Sequence, residues 1–507
     1  MNRTEALNRL ASETFDLLVI GGGATGAGVA LEAASRNLKV ALVEAGDFGS
    51  QTSSRSTKLL HGGVRYLEAA IRSFDRAQLN LVRDALAERT RLLRAAPHLA
   101  NRLGLVTPLY RRLEAPYYWT GLKMYDLLSG RAGIGASHYL SRPAALTEAP
   151  RLAQKGLKGG VLYYDGQFDD ARMNLAIMIS AAEQGAAVAN YARVVAIGPQ
   201  SAQVRDTLSE GSFEVHFRAL VNATGPFVDE LRKLEDPNSK PILRPSSGVH
   251  LVAKGGITGP NTGILIPRTD DGRVIFVLPW LGHTLIGTTD EPSPAIYDPK
   301  PSDAEISYLL EQTGRYLEPP LITGDIKAAW SGIRPLVKDP RHSDTAGLVR
   351  DHVILTSPSG MLTVAGGKWT TFRKMAQDVV DHLAKREGFP PVGASRSAHM
   401  TLAGGENFNP EGYQILMNDF ALDQDVAQHL QHNYGSRAIG VAQLAIKEGL
   451  LERIHPEFPY LEAEVLWAAQ NEYAKTPEDF LARRVRMAFL DQAAAESVQA
   501  RVAELLG

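Results

Sequence analysis

The sequence predicts an α/β protein that is extended by an antiparallel sheet and by a helical C-terminal part. Three observations predict this class: a strand, a glycine-rich turn and a helix follow one another near the start, β-rich runs cluster near the middle, and amphipathic helical stretches dominate after about residue 403. The chain has 507 residues, 44% of them hydrophobic. It can therefore bury enough core for about three domains or subdomains.

The first segment carries the clearest supersecondary unit. Residues 15–20 form a short apolar run of strand-forming residues, and residues 24–35 are small residues and good helix formers. Gly21, Gly23 and Gly26 lie at the junction with the spacing Gly-x-Gly-x-x-Gly. In such a unit the first glycine permits a tight turn, the second lets the backbone approach a pyrophosphate, and the third lets helix and strand pack closely.

An acidic residue follows this unit at the distance that a bound nucleotide requires. Glu44 ends the strand-like run 39–43, about twenty residues beyond the turn, and its carboxylate can accept hydrogen bonds from ribose hydroxyls. A diphosphate would lie on the helix N-terminus, where free N–H groups and the helix dipole favour negative charge. The glycine pattern alone also occurs in turns that bind nothing. Together with its strand, helix and acid, it predicts a bound dinucleotide cofactor.

Two later segments look like parts of the same sheet. Residues 218–225 read as an apolar strand that ends in small residues, after a helical stretch at 174–185 and a β-rich stretch at 187–197. Residues 361–373 read as a strand, a Gly-Gly turn and a helix start with threonines at the capping positions. These returns predict a discontinuous cofactor domain made of residues 15–90, 160–235 and 350–385.

The remaining chain divides into a sheet and a helical tail. Residues 241–290 contain three β-like runs and the hairpin signal Asp-Asp-Gly at 270–272, which predicts an antiparallel sheet over the cofactor. Residues 91–159 and 236–349 are accordingly assigned to a substrate or lid domain, and residues 390–507 to a helical C-terminal domain. In the tail, Thr476 and Pro477 predict a helix start. The basic run 482–487 that follows is expected to be a solvated helix face rather than a phosphate or lipid contact.

Composition excludes several kinds of chemistry. The chain has no cysteine, which excludes disulfides, thiolate metal sites, iron–sulfur clusters and a cysteine nucleophile, and no metal site is predicted. The net charge of -2 gives no general basic field for nucleic acid. The first 14 residues lack the apolar core of a signal peptide. The sequence therefore predicts a cytoplasmic protein, at most lying on a membrane surface, whose redox chemistry would need a bound organic cofactor.

Six motifs follow one another along the chain. They are the glycine turn with Glu44, Ser-Ser-Arg-Ser-Thr-Lys-Leu-Leu-His-Gly-Gly-Val-Arg-Tyr-Leu-Glu at 53–68, Val-Asn-Ala-Thr-Gly-Pro at 221–226, Ile-Gly-Thr-Thr-Asp at 286–290, Trp-Ser-Gly-Ile-Arg-Pro at 330–335 and Gly-Gly-Lys-Trp-Thr-Thr at 366–371. In this order they resemble the motifs of one family, the FAD-dependent glycerol-3-phosphate dehydrogenases. The run into His-Gly-Gly-x-Arg-Tyr is the most specific of them. The tail segment 479–484 is also similar to the C-terminal domain of the family.

This resemblance implies a glutathione-reductase-like, Rossmann-type FAD-binding domain with a substrate domain over it. It implies FAD as cofactor and oxidation of sn-glycerol 3-phosphate to dihydroxyacetone phosphate, by hydride transfer from C2 to flavin N5. A membrane quinone would accept the electrons, with the protein peripheral on the inner face of the cell membrane, and a homodimer is compatible. Three alternatives stay open: a glycerol-3-phosphate oxidase that uses oxygen, an amine or amino-acid flavin oxidase of the same fold, and a non-catalytic or tRNA-modifying flavoprotein scaffold.

A small phosphate ester requires several cationic side chains. The resemblance places Arg65 and Tyr66 in the substrate pocket and puts the guanidinium of Arg334 near the reacting C2 oxygen, where it could stabilise a developing alkoxide. Arg350 and Lys368 would complete a phosphate clamp. Arg334, Lys368 and His250 are the candidate catalytic residues.

Two histidines compete as the acceptor of the substrate's hydroxyl proton. A neutral imidazole suits this role because its pKa lies near the working pH. His250 is expected at the head of a strand in the lid, and His61 precedes a Gly-Gly turn near the cofactor. His250 could contact the substrate or be a buried structural histidine, we favour flavin contact for His61, and the choice of proton acceptor stays open.

The predicted cofactor contacts come from all three segments of the cofactor domain. A helix beginning at 368–371 would direct its N–H groups at the flavin's pyrimidine edge. The hydroxyls of the loop at 53–57 could bind the cofactor or satisfy their own backbone. The aromatic and cationic stretch 110–125 could be a membrane-facing segment or a partly buried helix edge. The full set of expected cofactor residues is Gly21, Gly23, Gly26, Glu44, Ser53, Ser54, Thr57, His61, Gly63, Gly225, Gly366, Gly367 and Thr370.

Overall fold

The structure, a computed structural model, describes residues 2–63, 76–111, 114–338 and 352–507. The strands are β1 (Thr14–Ile20), β2 (Val40–Val43), β3 (Leu59–Leu60), β4 (Ala100–Leu109), β5 (His138–Ser141), β6 (Gly159–Phe168), β7 (Ala187–Ala189), β8 (Ala192–Ile197), β9 (Ser201–Asp206), β10 (Ser212–Asn222), β11 (Ser246–Lys254), β12 (Thr262–Ile266), β13 (Ile275–Trp280), β14 (His283–Gly287), β15 (Glu291–Pro292), β16 (Ile326–Arg334), β17 (His352–Thr356) and β18 (Leu362–Gly366). The helices are α1 (Arg3–Ser12), α2 (Ala24–Ser35), α3 (Arg76–Ala95), α4 (Glu114–Ser129), α5 (Arg142–Glu148), α6 (Asp170–Glu183), α7 (Val228–Glu235), α8 (Asp303–Gly314), α9 (Phe372–Ala384), α10 (Tyr413–Phe420), α11 (Gln424–Tyr434), α12 (Ala438–Glu448), α13 (Glu462–Asn471), α14 (Met487–Leu490) and α15 (Gln492–Leu506).

The first sheet is assembled from the three predicted segments. Its order is β17-β18-β10-β1-β2-β7, and the strands from β18 to β7 run parallel. The β8–β9 hairpin attaches to β10, and α2 packs against α6 and α9. Because the carboxyl ends of parallel strands meet at one edge, Ile20, Val43, Asn222 and Gly366 end along the same side of the sheet. Ligands of open α/β sheets bind at this edge.

The second sheet is mainly antiparallel, as predicted for the lid. Its order is β15-β11-β14-β13-β12-β4-β6-β3, with β16 paired to β11 and β5 paired to β6. The predicted hairpin at 270–272 is present, because the N–H of Gly272 donates to the carbonyl of Thr269 between β12 and β13. β3 and β6 belong to this sheet, although the predicted ranges 15–90 and 160–235 grouped them with the cofactor segments. The division into domains stays a prediction.

The C-terminal part is helical and shares a core with the second sheet. Phe480 and Phe489 pack in the same buried cluster as Trp280 and Trp330. The predicted helix start is present, since Thr476 Oγ1 accepts from the N–H of Asp479 at 3.2 Å. The α/β class, the antiparallel sheet and the helical C-terminal part are therefore confirmed.

Candidate active site

The glycine turn after β1 is shaped by close backbone contacts. Gly21 has φ of +110°, and a Cβ there would lie 2.5 Å from the carbonyl oxygen of Ala223. A Cβ on Gly26 would lie 1.8 Å from the carbonyl oxygen of Gly21. Gly23 is the N-cap of α2 and presents no side chain there. The turn therefore has the geometry that the sequence predicts, and no side chain projects from the N-cap of α2.

Glu44 lies beside this turn at the end of β2. Its two carboxylate oxygens accept hydrogen bonds from the N–H of Gly22 at 2.6 Å and of Gly46 at 2.8 Å. Removal from water raises the pKa of Glu44, and the two amide donors oppose that rise. The carboxylate is thus fixed next to the turn where the sequence predicts a ribose contact.

The hydroxyl-rich loop after β2 crosses the N-terminus of α2. Ser53 Oγ accepts from the N–H of Ala24 at 2.9 Å, and the carbonyl of Ser53 accepts from the indole of Trp369 at 2.9 Å. Ser54 is buried, and its hydroxyl donates to the carbonyl of Gln51 at 3.4 Å. Ser53 therefore lies at the N-terminus of α2, whereas the hydroxyl of Ser54 is directed to its own loop.

The Gly-Gly turn after β18 adjoins the same loop. Gly366 and Gly367 have φ of +77° and +76°, conformations that favour glycine. The structure adds a 3₁₀ turn at Trp369–Thr371, so α9 begins at Phe372, slightly later than the predicted helix start at 368–371. Lys368 precedes this turn and Thr370 is buried within it. The Trp369–Ser53 hydrogen bond brings this turn against the glycine cradle.

Arg334 lies on one face of the second sheet, at the end of β16. β16 pairs with β11 so that Ser246 faces Arg334 and His250 faces Trp330. The guanidinium of Arg334 lies over Gly248, since a Cβ added to Gly248 would be 2.3 Å from Nη2 of Arg334. The guanidinium donates to Ser247 O at 2.9 Å, Thr289 O at 3.0 Å, Asp290 Oδ1 at 3.1 Å, Thr288 Oγ1 at 3.1 Å and Ser246 Oγ at 3.4 Å. These contacts fix a partly exposed cation on this face.

His250 is buried on the same face of the second sheet. Its ring stacks on Trp330 with a centroid distance of 4.2 Å, and its Nε2 is 2.9 Å from Thr57 Oγ1. Burial holds the pKa of His250 well below its usual value, and the positive charges of Lys58 and Arg334 add to this effect. The imidazole is therefore neutral at neutral pH, but a pKa held this far below the working pH also makes it a weaker base than an exposed histidine.

A buried lysine that sequence reasoning missed lies next to Trp330. Lys58 is 0% exposed, and its ammonium donates to Asp170 Oδ2 at 2.7 Å and to the carbonyl of Ser54 at 2.8 Å. It also lies 4.6 Å from the centre of the Trp330 ring. Burial lowers the pKa of Lys58 to about 7, against the opposing charge of Asp170. The available signal was a lysine between a hydroxyl-rich run and two leucines, with an Asp-Asp pair at 169–170.

The basic run of the tail is buried, so its predicted solvated face is wrong. Arg483 and Arg484 both donate to the carboxylate of Asp47, and Arg483 does so at 2.6 Å. Arg486 donates to the carbonyl of Ser54 at 2.7 Å and to Asp170 at 3.3 Å. The acceptors lie in the loop after β2 and at the start of α6, so charge pairing explains the burial of these arginines. The C-terminal part thus supports the cofactor-side loop.

The other predicted residues lie around this centre or outside the described chain. His61 and Gly63 follow β3, where the N–H of Gly62 donates to the hydroxyl of Tyr125 at 2.9 Å. Gly225 lies in the loop after β10. Arg65, Tyr66 and Arg350 lie outside the described residues, so the grouping predicted for them is not tested.

One loop joins the two sides of the site. Thr52 Oγ1 donates to the carbonyl of Ile333 at 2.7 Å, and Arg55 donates to the carbonyl of Ser331 at 3.1 Å, both on β16. The same loop caps α2 through Ser53 and contacts His250 through Thr57. The glycine cradle and the His250–Arg334 face therefore share the loop at 52–58.

Comparison with known proteins assigns this arrangement to a family. Residues 16–373 match the family described as FAD dependent oxidoreductase, and residues 395–507 match the C-terminal domain of alpha-glycerophosphate oxidase. The glycerol-3-phosphate dehydrogenase, mitochondrial, of Mus musculus is 47% identical over 97% of this chain and 70% of its own length. This chain belongs to the FAD-dependent glycerol-3-phosphate dehydrogenases.

Other members of this family extend the match. The probable glycerol-3-phosphate dehydrogenase, mitochondrial, of Caenorhabditis elegans is 46% identical over 100% of this chain and 72% of its own length. The crystal structure of the glycerol-3-phosphate dehydrogenase of Bacillus halodurans with FAD has a TM-score of 0.78 and 30% identity, and covers 99% of this chain and 93% of its own. The resemblance and FAD as the cofactor are confirmed.

The residues present fit FAD. The edge of the first sheet where its parallel strands end offers an N-cap without a side chain at Gly23, a carboxylate at Glu44 and a glycine turn packed against Ala223. These are the features with which a nucleotide's pyrophosphate and ribose are bound at a βαβ edge. Gly366 ends β18 at the same edge and Gly367 follows it, and the nearby Trp369 donates to Ser53 in the loop that contacts His250.

Proposed function

We propose that this chain oxidises sn-glycerol 3-phosphate to dihydroxyacetone phosphate. The observation that carries the proposal is the shared loop at 52–58, which joins the FAD cradle to a face bearing a fixed guanidinium and a neutral histidine. The relatives named above are glycerol-3-phosphate dehydrogenases. When bound, FAD would accept the C2 hydrogen as a hydride at N5.

The proposed roles on the substrate side follow from charge and protonation. Arg334 would bind the oxygen at C2, because its guanidinium is already oriented by Ser247, Thr289 and Asp290 and loses little freedom on binding. His250 would contact the substrate from the same face of the second sheet as Arg334. Arg65 and Tyr66 are proposed to lie in the substrate pocket, and Arg350 and Lys368 to complete the clamp on the substrate phosphate.

The proposed cofactor contacts keep the sequence assignment. Gly21, Gly23 and Gly26 would admit the pyrophosphate, and Glu44 would accept from the ribose. Ser53 lies at the start of α2, where a phosphate would approach. The remaining proposed contacts are Thr57, His61, Gly63, Gly225, Gly366, Gly367 and Thr370, whereas the buried hydroxyl of Ser54 donates to the carbonyl of Gln51 within its own loop.

We further propose a membrane quinone as electron acceptor, with peripheral attachment through α4. Trp119, Met124 and Leu127 of this helix are exposed, Leu127 to 80%, and Lys123 lies among them. Apolar and cationic side chains on one exposed helix are typical of an interfacial segment. Over the parts of the chain that the structure describes, no helix is both long and apolar enough to cross a membrane. A cytoplasmic location and a homodimer stay predictions.

Anaerobic reduction by substrate tests the proposed reaction. sn-Glycerol 3-phosphate should bleach the long-wavelength flavin band of the holoenzyme, whereas glycine should not. Bleaching by the amino acid and none by the phosphate ester would reject the proposal in favour of an amino-acid oxidase of the same fold.

Reoxidation tests the proposed acceptor. The reduced holoenzyme should be reoxidised much faster by a short-chain ubiquinone analogue than by air-saturated buffer. Faster reoxidation by oxygen, with formation of hydrogen peroxide, would assign the chain to the oxidases instead.

A further inference from the structure

A proline-rich connection leaves the edge of the second sheet and reaches the cofactor side. Residues 293–301 link β15 to the start of α8 and contain prolines at 294, 299 and 301. The N–H of Ser293 donates to the carbonyl of Pro245 at 3.2 Å, which anchors the beginning of the connection. Because proline fixes φ, these residues restrict the backbone conformations of the connection and make it stiff.

Two side chains of this connection contact the first sheet's loops. The ring of Tyr297 stacks on Phe227 with a centroid distance of 4.1 Å and an interplanar angle of 8°. Asp298 Oδ1 accepts from Arg55 Nη2 at 2.9 Å. Phe227 follows Gly225 after β10, and Arg55 follows the Ser53 turn. Both partners therefore belong to loops that border the FAD cradle.

The position of Tyr297 follows from the order of the strands. β1 lies between β10 and β2, and Gly21 at its end packs against Ala223 of the β10 side. On the β2 side, the N–H of Ala192, the residue before Arg193, donates to the carbonyl of Glu44 at 2.7 Å. Arg193 lies 5.7 Å from the Tyr297 ring centre. Tyr297 therefore contacts residues from both sides of the edge at which the dinucleotide binds.

We propose that residues 293–301 form a strap over the adenosine end of FAD, latched by the Tyr297–Phe227 stack and the Asp298–Arg55 ion pair. A bound dinucleotide between Gly21, Glu44 and the strap can leave only when both latches open. The strap therefore slows FAD release. The inference rests on FAD binding and is independent of the proposed substrate.

The chemistry of the latches makes the strap testable on the surface of the protein. Tyr297 is 49% exposed, so its truncation removes the stack without opening the core. Asp298 has φ of +51°, a conformation that asparagine also adopts readily. Asp298→Asn therefore removes the charge and keeps the turn.

FAD release from the substrate-free holoenzyme tests the strap. After dilution, the appearance of free flavin fluorescence gives the release rate. Tyr297→Ala should release FAD about fivefold faster, and the double variant with Asp298→Asn about tenfold faster. Tyr297→Phe keeps the aromatic stack and should release FAD at the rate of the unaltered holoenzyme.

Tyr139→Ala is the matched control, because Tyr139 on β5 is 50% exposed and lies on another edge of the second sheet. It should leave the release rate unchanged. An unchanged rate in the double variant, or equal acceleration by Tyr139→Ala, would overturn the strap. Since no substrate is used, neither result depends on the outcome of the bleaching experiment.

Discussion

The glycine turn of the first sheet and the Arg334 face of the second sheet are held in place by different forces. At the turn, Gly26 and Gly21 are in steric contact through their backbones, and no side chain fits between them. On the face, Arg334 is oriented by hydroxyl, carbonyl and carboxylate acceptors. The comparison indicates that the glycine turn depends on close backbone packing, whereas the Arg334 face depends on hydrogen bonds to a charged guanidinium. Substitutions on the two sides should therefore fail in different ways.

The buried ion pairs of Asp47 with Arg483 and Arg484 extend this comparison. Breaking them should have the largest effect on the free energy of unfolding. Asp47→Asn should lower the free energy of unfolding by about 4 kcal/mol, because Arg483 and Arg484 would keep their charges without the carboxylate between them. The two guanidinium groups hold the pKa of Asp47 below its usual value, so this stability is present above the unfolded pKa and lost as the pH falls through the folded pKa. Urea unfolding across acidic pH checks both statements.

Asp423→Asn is the matched control for Asp47→Asn. Asp423 pairs with Arg453 at 2.8 Å on the surface, and its side chain is mostly exposed. Its replacement should change the free energy of unfolding by less than about 1 kcal/mol. Equal effects of the two substitutions would contradict a special role for the buried pair.

Gly26→Ala tests the steric side directly. The added methyl group would meet the carbonyl oxygen of Gly21 at 1.8 Å, so helix and turn must separate. We expect the free energy of unfolding to fall by about 3 kcal/mol. We also expect the purified protein to lose most of its bound FAD. Thermal unfolding and the flavin absorbance of the purified protein measure the two losses.

Gly121→Ala places the same methyl group in α4, where nothing lies within 4 Å of it. This variant should keep its FAD and its stability. If Gly26→Ala also kept a full complement of FAD, the cradle would not depend on close packing.

Lys58 should make the free energy of unfolding increase as the pH rises above 7. Its pKa is about 7 in the folded protein, against an ordinary value of 10.5 for a lysine in water. Between these values the unfolded chain binds more protons than the folded one, so the free energy of unfolding should rise by about 2 kcal/mol from pH 7 to pH 9. Urea unfolding at the two pH values, with FAD in excess, measures this rise.

Lys58→Met removes the titrating group while Asp170 keeps its hydrogen bonds from Ser56 and Arg486. The slope between pH 7 and pH 9 should then disappear. The same slope in both proteins would place its origin in another group.

Ser53→Ala carries the smallest expected effect. It removes the acceptor of the Ala24 N–H at the start of α2 and should cost about 1 kcal/mol of stability. Ser141→Ala removes the hydroxyl that accepts from a backbone N–H at the start of α5, which lies outside the cofactor segments. Both should lower the melting temperature, but only Ser53→Ala should weaken FAD binding. Equal FAD affinity in the two variants would remove Ser53 from the cofactor site.

Local patterns predicted the parts of the fold that local forces determine. β1, the turn and α2 follow from an apolar run, three spaced glycines and small helix formers, and the structure begins and ends α2 at the predicted residues 24 and 35. The hairpin at 270–272 follows in the same way from its own turn residues. The start of α9 was placed slightly early, because the sequence does not distinguish the 3₁₀ turn at Trp369–Thr371 from the first turn of a helix.

Pairings between distant residues could not be read in the same way. Lys58 and Asp170 are 112 positions apart, and Asp47 and Arg483 are 436 positions apart. A basic run at helical spacing is usually solvated, and nothing near 482–487 in the sequence indicates the carboxylates that bury it. The contact between His250 and Thr57 likewise depends on how the two sheets meet.

The central claim is that the charged face around Arg334 binds the substrate, whereas other residues hold the cofactor. The reductive half-reaction of Arg334→Ala tests this claim most directly. In anaerobic stopped flow with saturating sn-glycerol 3-phosphate, the FAD-loaded variant should bleach about 30-fold more slowly than the unaltered protein, equal to about 2 kcal/mol. Its FAD content should equal that of the exposed-arginine control Arg205→Ala. Bleaching at the unaltered rate, or loss of FAD with normal bleaching per flavin, would contradict the account.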